Sequence, residues 1–255
     1  MFMSSCGGRS ETAVTIAGST SVQPYVEMLA QKYFELYDKN VDVQGGGSSA
    51  GIQAVGHGTA SIGMSSRPLR GDELELWSAE IARDGLALII NPQNPVKNLT
   101  LEEIRGIYAG EIDNWSVLGG LDARIHVFAR EEGSGTRGAF EELVMNGGRI
   151  TLKALVMNSN GAVRQSISTD KNSIGFISLG LVNNTVEALR LGGVAATWEN
   201  VTNGSYSLFR SFLIVSEKEP EGLAKQFIDY ILSPDGQKIL VSEGLIPGSH
   251  AEETD

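Results

Sequence analysis

Cysteine is almost missing from this sequence: Cys6 stands alone among 255 residues, so no disulfide framework can staple the fold. Histidine is nearly as scarce, with only His57, His126 and His250, and these are not clustered as zinc ligands are. No metal and no other cofactor is therefore expected, and a carboxylate-only ion site is the one arrangement left open. Basic residues are outnumbered, 20 Lys and Arg against 31 Asp and Glu, and the formal charge of −11 argues against nucleic acid as a partner. Long apolar runs are also lacking. Stretches such as Leu86 to Ile90 are strand-sized, far short of the roughly 20 residues that a membrane-spanning helix needs.

What is plentiful is glycine, with 31 residues, and it clusters where strands should hand over to helices. Thr12 to Ala17 alternates as a strand, Gly18-Ser19-Thr20-Ser21 forms a hydroxyl-rich turn, and Val22, Tyr25, Val26, Leu29, Tyr33 and Phe34 recur at helical spacing. The unit repeats. Val41 to Gln44 leads into Gly45-Gly46-Gly47-Ser48-Ser49 and a short helix through Ile52 and Val55; Ala60 to Met64 is a strand ending at Ser65-Ser66-Arg67-Pro68. Asp72 to Arg83 reads as a helix, Gly85 to Ile90 as a buried strand, and Asn91 to Pro95 as a rigid break. Thr100 opens a capping box with Glu103, and Ile125 to Ala129 is a strand running into Arg130-Glu131-Glu132-Gly133-Ser134-Gly135-Thr136-Arg137. A helix with Phe140, Leu143 and Val144 follows, then strands at Ser173 to Leu179 and Ser205 to Val215, and closing helices at Glu221 to Leu232 and Pro234 to Val241. The fold class is α/β, with two similar halves.

The first turn of a helix leaves backbone N–H groups unpaired at the positive end of the helix dipole. Glycine lets a ligand approach closely there, and serine and threonine add hydroxyl donors. Ser19-Thr20-Ser21, Ser48-Ser49 and Ser134-Gly135-Thr136 fit that description, with Ser65-Ser66-Arg67 as a further donor-rich strand end. Singly, each is an ordinary helix cap. In an open α/β sheet, however, ligands gather beyond the carboxyl ends of the strands, where all of these motifs fall. Arg67 and Arg130 add guanidinium forks suited to a tetrahedral oxyanion. For Arg130, Glu132 is the obvious ion-pair partner. Asn160 is a further candidate contact, a plain helix cap being the alternative. The net negative charge is no obstacle, because physiological salt screens it within about 8 Å.

Taken in order, Gly18-Ser19-Thr20-Ser21, Gly45 to Ile52, Gly63 to Leu69 and Arg130 to Arg137 resemble the phosphate-binding proteins of phosphate ABC transporters. The resemblance runs from about Thr12 to Pro247 and includes Asn114-Trp115 and Ile174-Gly175-Phe176. It implies the type II periplasmic-binding-protein fold: two hinged lobes, each a central mixed sheet flanked by helices. Lobe 1 is expected at residues 1–90 and 211–255 and lobe 2 at 91–210, joined by crossings near Ile90 and Arg210. It further implies a non-enzymatic monomer outside the cytoplasmic membrane. Inorganic phosphate would bind in the cleft and pass to the permease subunits of the transporter in the membrane. The contacts it carries over are Thr20, Ser21, Ser48, Arg130, Ser134, Gly135 and Thr136, with Glu132 as the acid that pairs with the arginine. Ser66 stands where the best-known members have the aspartate that accepts the ligand's proton, and Arg67 where they have a small residue. Ser66 is then the first candidate acceptor and Glu132 the second.

The N-terminus, Met1-Phe2-Met3-Ser4-Ser5-Cys6-Gly7-Gly8, is too short for an apolar export signal and lacks its basic start. A lone cysteine after small residues and before a polar stretch nonetheless resembles a lipoprotein attachment site, so a lipid anchor on Cys6 is expected; an inert thiol is the alternative. Other readings are tested by the same residues. Gly47-Ser48-Ser49-Ala50-Gly51 matches the G-x-S-x-G elbow of a serine hydrolase, with Ser49 as nucleophile and Asp229 or Asp235 with His250 completing a triad. Gly133, Gly135 and Gly138 have dinucleotide-motif spacing but lack the acid about 20 residues on. A receptor for sulfate, molybdate or tungstate, or a sensory binding protein, would share the same fold. Sequons such as Asn98-Leu99-Thr100 and Asn183-Asn184-Thr185 are compatible with an exported protein.

Overall fold

The computed structural model describes residues 14–248, so Cys6 and its expected lipid anchor, together with His250, lie outside the described residues. The first half of the chain runs β1 (Val14–Gly18), α1 (Gln23–Tyr37), β2 (Val41–Gly45), α2 (Ser48–Gly56), β3 (Ile62–Ser65) and β4 (Trp77–Ile90). It continues through β5 (Asn98–Leu99), α3 (Leu101–Ala109), β6 (His126–Arg130), α4 (Gly135–Phe140), β7 (Leu155–Met157) and α5 (Asn160–Thr169). The remainder is β8 (Ser173–Ser178), β9 (Glu187–Ala188), β10 (Arg190–Leu191), α6 (Trp198–Thr202), β11 (Phe209–Ser216), α7 (Gly222–Leu232), α8 (Pro234–Ser242) and β12 (Ile246–Pro247).

Strands β2, β1, β3, β11, β4, β8, β6 and β7 are hydrogen-bonded in that order, with β9 and β12 added to β4; β5 and β10 form a separate pair. β1 pairs in parallel with β2 and β3, and β6 in parallel with β7 and β8. Parallel pairing brings the carboxyl ends of β1, β2 and β3 to one edge, and those of β6 and β7 to another. The hydroxyl-rich turns leave from those edges.

Two apolar cores form. One gathers Ile16, Val26, Leu29, Ile62, Met64, Ile81, Phe212, Ile214, Phe227 and Leu240 beneath α1, α7 and α8. The other gathers Leu86 to Ile90, Ile107, Tyr108, Phe140, Ile174, Phe176 and Leu208 around β8 and α3. Within the second, Phe140 and Phe176 stack with ring centroids 4.2 Å apart. β4 serves both cores. Trp77 to Gly85 run antiparallel along β11, whereas Leu86 to Ile90 pair antiparallel with β8.

The expected helix at Asp72 to Arg83 is not formed. A single 3₁₀ turn spans Gly71–Glu75, and the chain is then extended from Trp77 onward. The apolar spacing of Leu74, Trp77 and Ile81 mimics a helix face, yet Leu74 is exposed while Ala79, Ile81 and Ala82 are buried. Pairing along the whole length of β11 overrides local helix propensity here, because it satisfies the backbone and buries those side chains together. The helix after Thr136 is shorter than its apolar spacing implies: α4 passes into one π turn, Glu141–Met145. The capping box at Thr100 forms as expected, with Thr100 accepting from the Glu103 amide.

Candidate anion-binding site between the two cores

Close backbone approach builds the first group of donors. Gly18 sits at φ +143°, and a Cβ there would lie 2.3 Å from the Met64 carbonyl oxygen, so no side chain is tolerated. The turn that follows holds Ser19 and Ser21 buried before α1 begins. The N-cap of α1 is Val22, with no side-chain cap, and Ser19 Oγ accepts from the Ser21 amide at 3.2 Å within the turn. Ser19 donates to Ser66 Oγ at 2.8 Å, and the Ser66 amide donates to Ser48 Oγ at 3.1 Å. Ser19, Ser48 and Ser66 thus form one buried hydroxyl cluster.

The second group comes from the ends of β6 and β7. Arg130, only 1% exposed, donates from Nε to Glu131 Oε2 at 2.9 Å and from Nη2 to Glu131 Oε1 at 2.8 Å. Its Nε also reaches the Met157 carbonyl at 3.2 Å, while its Nη1 is buried with no protein partner. Ser134 caps α4, accepting from the Arg137 amide at 3.3 Å, and leads into the buried Gly135 and Thr136. Asn160 is the first residue of α5, whose cap is Ser159, so its amide is free to reach across. It donates to Ser21 Oγ at 2.9 Å and to Thr20 Oγ1 at 3.4 Å, and its Oδ1 is buried without a partner.

The groups meet. Ser21 Oγ lies 2.8 Å from Thr136 Oγ1, and the Ser49 amide donates to the Gly133 carbonyl at 3.1 Å. Gly135 is pressed so closely on the first group that a Cβ would lie 2.1 Å from Ser48 Oγ and 2.5 Å from Ser66 Oγ. Glycine is demanded there by packing. Ser21 Oγ accepts from Asn160 and from Arg210, which exhausts its lone pairs, so its proton goes to Thr136. The Thr136 hydroxyl proton is thereby left to give elsewhere.

Two expected roles are corrected. Glu132 is exposed and does not pair with Arg130; Glu131, one residue earlier, clamps that guanidinium. The turn closed by the Ser134 amide on the Glu131 carbonyl leaves Glu132 on its outer side. Arg67 is buried, but its fork is already engaged: Nη1 and Nη2 bind Glu73 at 2.7 and 2.8 Å, and Nη2 also donates to Ser49 Oγ at 3.2 Å. The 3₁₀ turn at Gly71–Glu75 brings Glu73 to the arginine. Arg67 holds Glu73 below the ordinary carboxylate range, chiefly through its hydrogen bonds. Among the described residues no group of three or more His, Cys, Asp and Glu is arranged to hold a metal ion.

A family model described as a PBP superfamily domain matches residues 7–235. The phosphate-binding protein PstS of Bacillus subtilis is 33% identical over 242 residues, covering 92% of this chain and 80% of that one. The chain belongs to the PBP superfamily, in its phosphate-binding-protein family. Solved relatives agree with that placement. A Clostridium perfringens substrate-binding chain of the phosphate ABC transporter kind, with bound phosphate, is 44% identical at a TM-score of 0.89 over 92% of this chain and 99% of that one. An ABC-type phosphate transport receptor from Vibrio cholerae is 39% identical at a TM-score of 0.76, over 91% of this chain and 99% of that one.

In this phosphate-binding-protein chain the sequence reading passed over a buried ion pair beside the site. Arg210 on β11 stands opposite Asp84 on β4, donating to Asp84 Oδ2 from Nη2 at 3.1 Å and from Nε at 3.3 Å. Ser178 donates to the other Asp84 oxygen at 2.8 Å. Burial pushes the Asp84 carboxyl up and the Arg210 guanidinium down, and their mutual attraction opposes both shifts. The available signal was faint: Arg210 is the single charge within Phe209–Ser216, whereas Asp84 shares β4 with Glu80 and Arg83. Gly135 and Gly138, which mimic a dinucleotide motif, instead receive Ser48, Ser66 and the Arg67 side chain.

Proposed function

We propose that this protein binds inorganic phosphate between its two cores and delivers it to the permease of an ABC transporter. The observation that carries this reading is the convergence of buried polar atoms without protein partners. Asn160 Oδ1 belongs to the side chain that donates to Ser21, which meets Thr136, and Arg130 ends the strand that leads into Ser134 and Thr136, its Nη1 buried and unpartnered. Buried groups of this kind cost free energy unless a ligand satisfies them. A tetrahedral oxyanion accepting several charge-assisted hydrogen bonds does so. The phosphate-binding relatives support the choice of anion. Thr20, Ser19, Ser134 and Gly135 complete the wall.

The packing of Leu86 to Ile90 into the second core favours a lobe boundary at Gly85 on β4, earlier than Ile90, with the return crossing near Leu208. On this reading lobe 1 comprises residues 14–84 and 209–248, and lobe 2 residues 85–208. Ligand binding closes one on the other and presents a shape that the permease recognises. The protein acts as a receptor outside the cytoplasmic membrane and as a monomer; among the described residues no helix is long and apolar enough to cross a membrane.

Hydrogen phosphate carries a proton and needs an acceptor, whereas sulfate offers acceptors only. Glu132 is turned outward, and Asn160 Oδ1 is a buried acceptor with no partner at all, so it is the acceptor we assign ahead of Ser66. Calorimetric titration tests both statements. Phosphate is expected to bind with sulfate weaker by at least about tenfold, the worth of one buried hydrogen bond, and Asn160→Ala to narrow that gap. Absence of phosphate binding refutes the function, and equal affinities refute the acceptor. Sulfate, molybdate or tungstate binding in place of phosphate would reassign the ligand within the same fold.

A further inference from the structure

A second guanidinium reaches the same wall, carried by neither group of turns. Arg210 is 4% exposed and lies on β11, directly opposite Asp84 on β4. Its Nε and Nη2 are taken by Asp84, and Nη2 also donates to Ser21 Oγ at 3.0 Å. Its Nη1 is buried with no partner among the described residues. Through Ser21 it stands one hydroxyl away from Thr136 and from Asn160.

We propose that Arg210 is a ligand-binding residue of this site: Nη1 donates to an oxygen of the bound oxyanion, and Asp84, anchored by Ser178, positions it. The proposal rests on the phosphate reading and deepens it. Arginine offers five N–H donors in a fixed plane, so holding Nε and Nη2 fixes where Nη1 points. Asp84 is itself locked, because Ser178 on β8 holds its other oxygen. The guanidinium therefore cannot turn away when the ligand leaves, and its unpaired N–H groups remain as a standing demand for an anionic acceptor.

The position adds a mechanical consequence. Asp84 stands one residue before Gly85, where β4 passes from β11 to β8, and Arg210 is its register partner. A ligand held by Ser48 on one side, by Arg130 on the other and by Arg210 on the crossing strand bonds to all three moving parts. Arg130 and Arg210 each have a carboxylate partner, Glu131 and Asp84, so two forks are offered with their charges already balanced. This suits a small dianion recognised by directed donors rather than by net positive charge.

The test is calorimetric titration of phosphate into wild type, Arg210→Gln and the double variant D84N/R210Q, with Arg190→Gln as an exposed control. The double variant removes the carboxylate that Arg210→Gln alone would leave unpaired. Phosphate affinity is expected to fall about ten- to a hundredfold in both, the loss of one charge-assisted hydrogen bond, with R190Q unchanged. A purely structural role is separated by NMR of protein labelled with 15N-arginine. Phosphate should shift and slow the Arg210 guanidinium signal, identified by its absence in R210Q. Wild type that takes up no phosphate overturns the phosphate reading. Wild type that binds while D84N/R210Q matches it within threefold, or an Arg210 signal that phosphate leaves unmoved, overturns the Arg210 assignment alone.

Discussion

Replacing Arg130 with methionine removes the guanidinium while keeping an unbranched side chain in its place. In the folded protein Arg130 is 1% exposed, and its Nη1 is the donor left for the ligand after Glu131 and the Met157 and Asn158 carbonyls are served. Deleting one member of a buried, hydrogen-bonded charge pair costs about 2 to 5 kcal/mol of binding, part of it from the partner left behind. Glu131 is that partner, and its side chain is 30% exposed, so water can rehydrate it and the upper end of the range does not apply. A loss of about 3 kcal/mol, roughly a hundredfold in Kd, follows. The fold should survive, since the side chain's remaining bonds are local to the ends of β6 and β7. Isothermal titration of phosphate-free protein measures the first quantity and calorimetric melting the second. A melting temperature within a few degrees together with a Kd within threefold of wild type would refute the reasoning, because Nη1 would then not face the ligand.

Gly135→Ala places a Cβ 2.1 Å from Ser48 Oγ, so the two groups of turns cannot close as they do. Overpacking of about 1 to 3 kcal/mol predicts at least a severalfold weaker phosphate affinity and a larger radius of gyration by X-ray scattering with phosphate present. Unchanged scattering and affinity would contradict it. Glu73 titrates below its ordinary value of 4.5 because of Arg67, so its stabilisation is complete above that pH and is lost as pH falls through the depressed value. Urea unfolding of Glu73→Gln should show about 1 to 2 kcal/mol less stability than wild type at pH 7, converging with it in acid. Parallel pH curves would remove the ion pair from the account. Ser49→Ala loses only a 3.2 Å bond from Arg67, so phosphate Kd should stay within about threefold. Ester hydrolysis by wild type that disappears in this variant would restore the hydrolase reading.

How much of the site was legible depends on the range of each interaction. The turns at Ser19 to Ser21, Ser48, and Ser134 to Thr136 announced themselves, because glycine beside hydroxyl residues at the end of a strand is a local pattern. The structure brings them together within hydrogen-bond distance. Glu131 was misread as Glu132, since the choice between adjacent carboxylates turns on how one tight turn closes. Arg67 looked like a ligand fork until the turn at Gly71–Glu75 delivered Glu73 to it. Arg210 and Asp84 are separated by more than a hundred residues, and only the register of β11 against β4 makes them a pair.

Sequence alone, then, determined most of the alternation of strands and helices and the positions of the anion-seeking turns, because each follows from residues within a few positions of one another, and the absence of a disulfide framework, because a single cysteine has no partner. Tertiary structure decided the rest. Extended pairing with β11 turned Trp77 to Arg83 into strand against its helical spacing, the two cores divided β4 between them, and the packing around Arg130 and Arg210 left one nitrogen of each guanidinium without a protein partner. Those outcomes depend on partners distant in sequence, whose burial and hydrogen bonding outweigh any preference written into a short window.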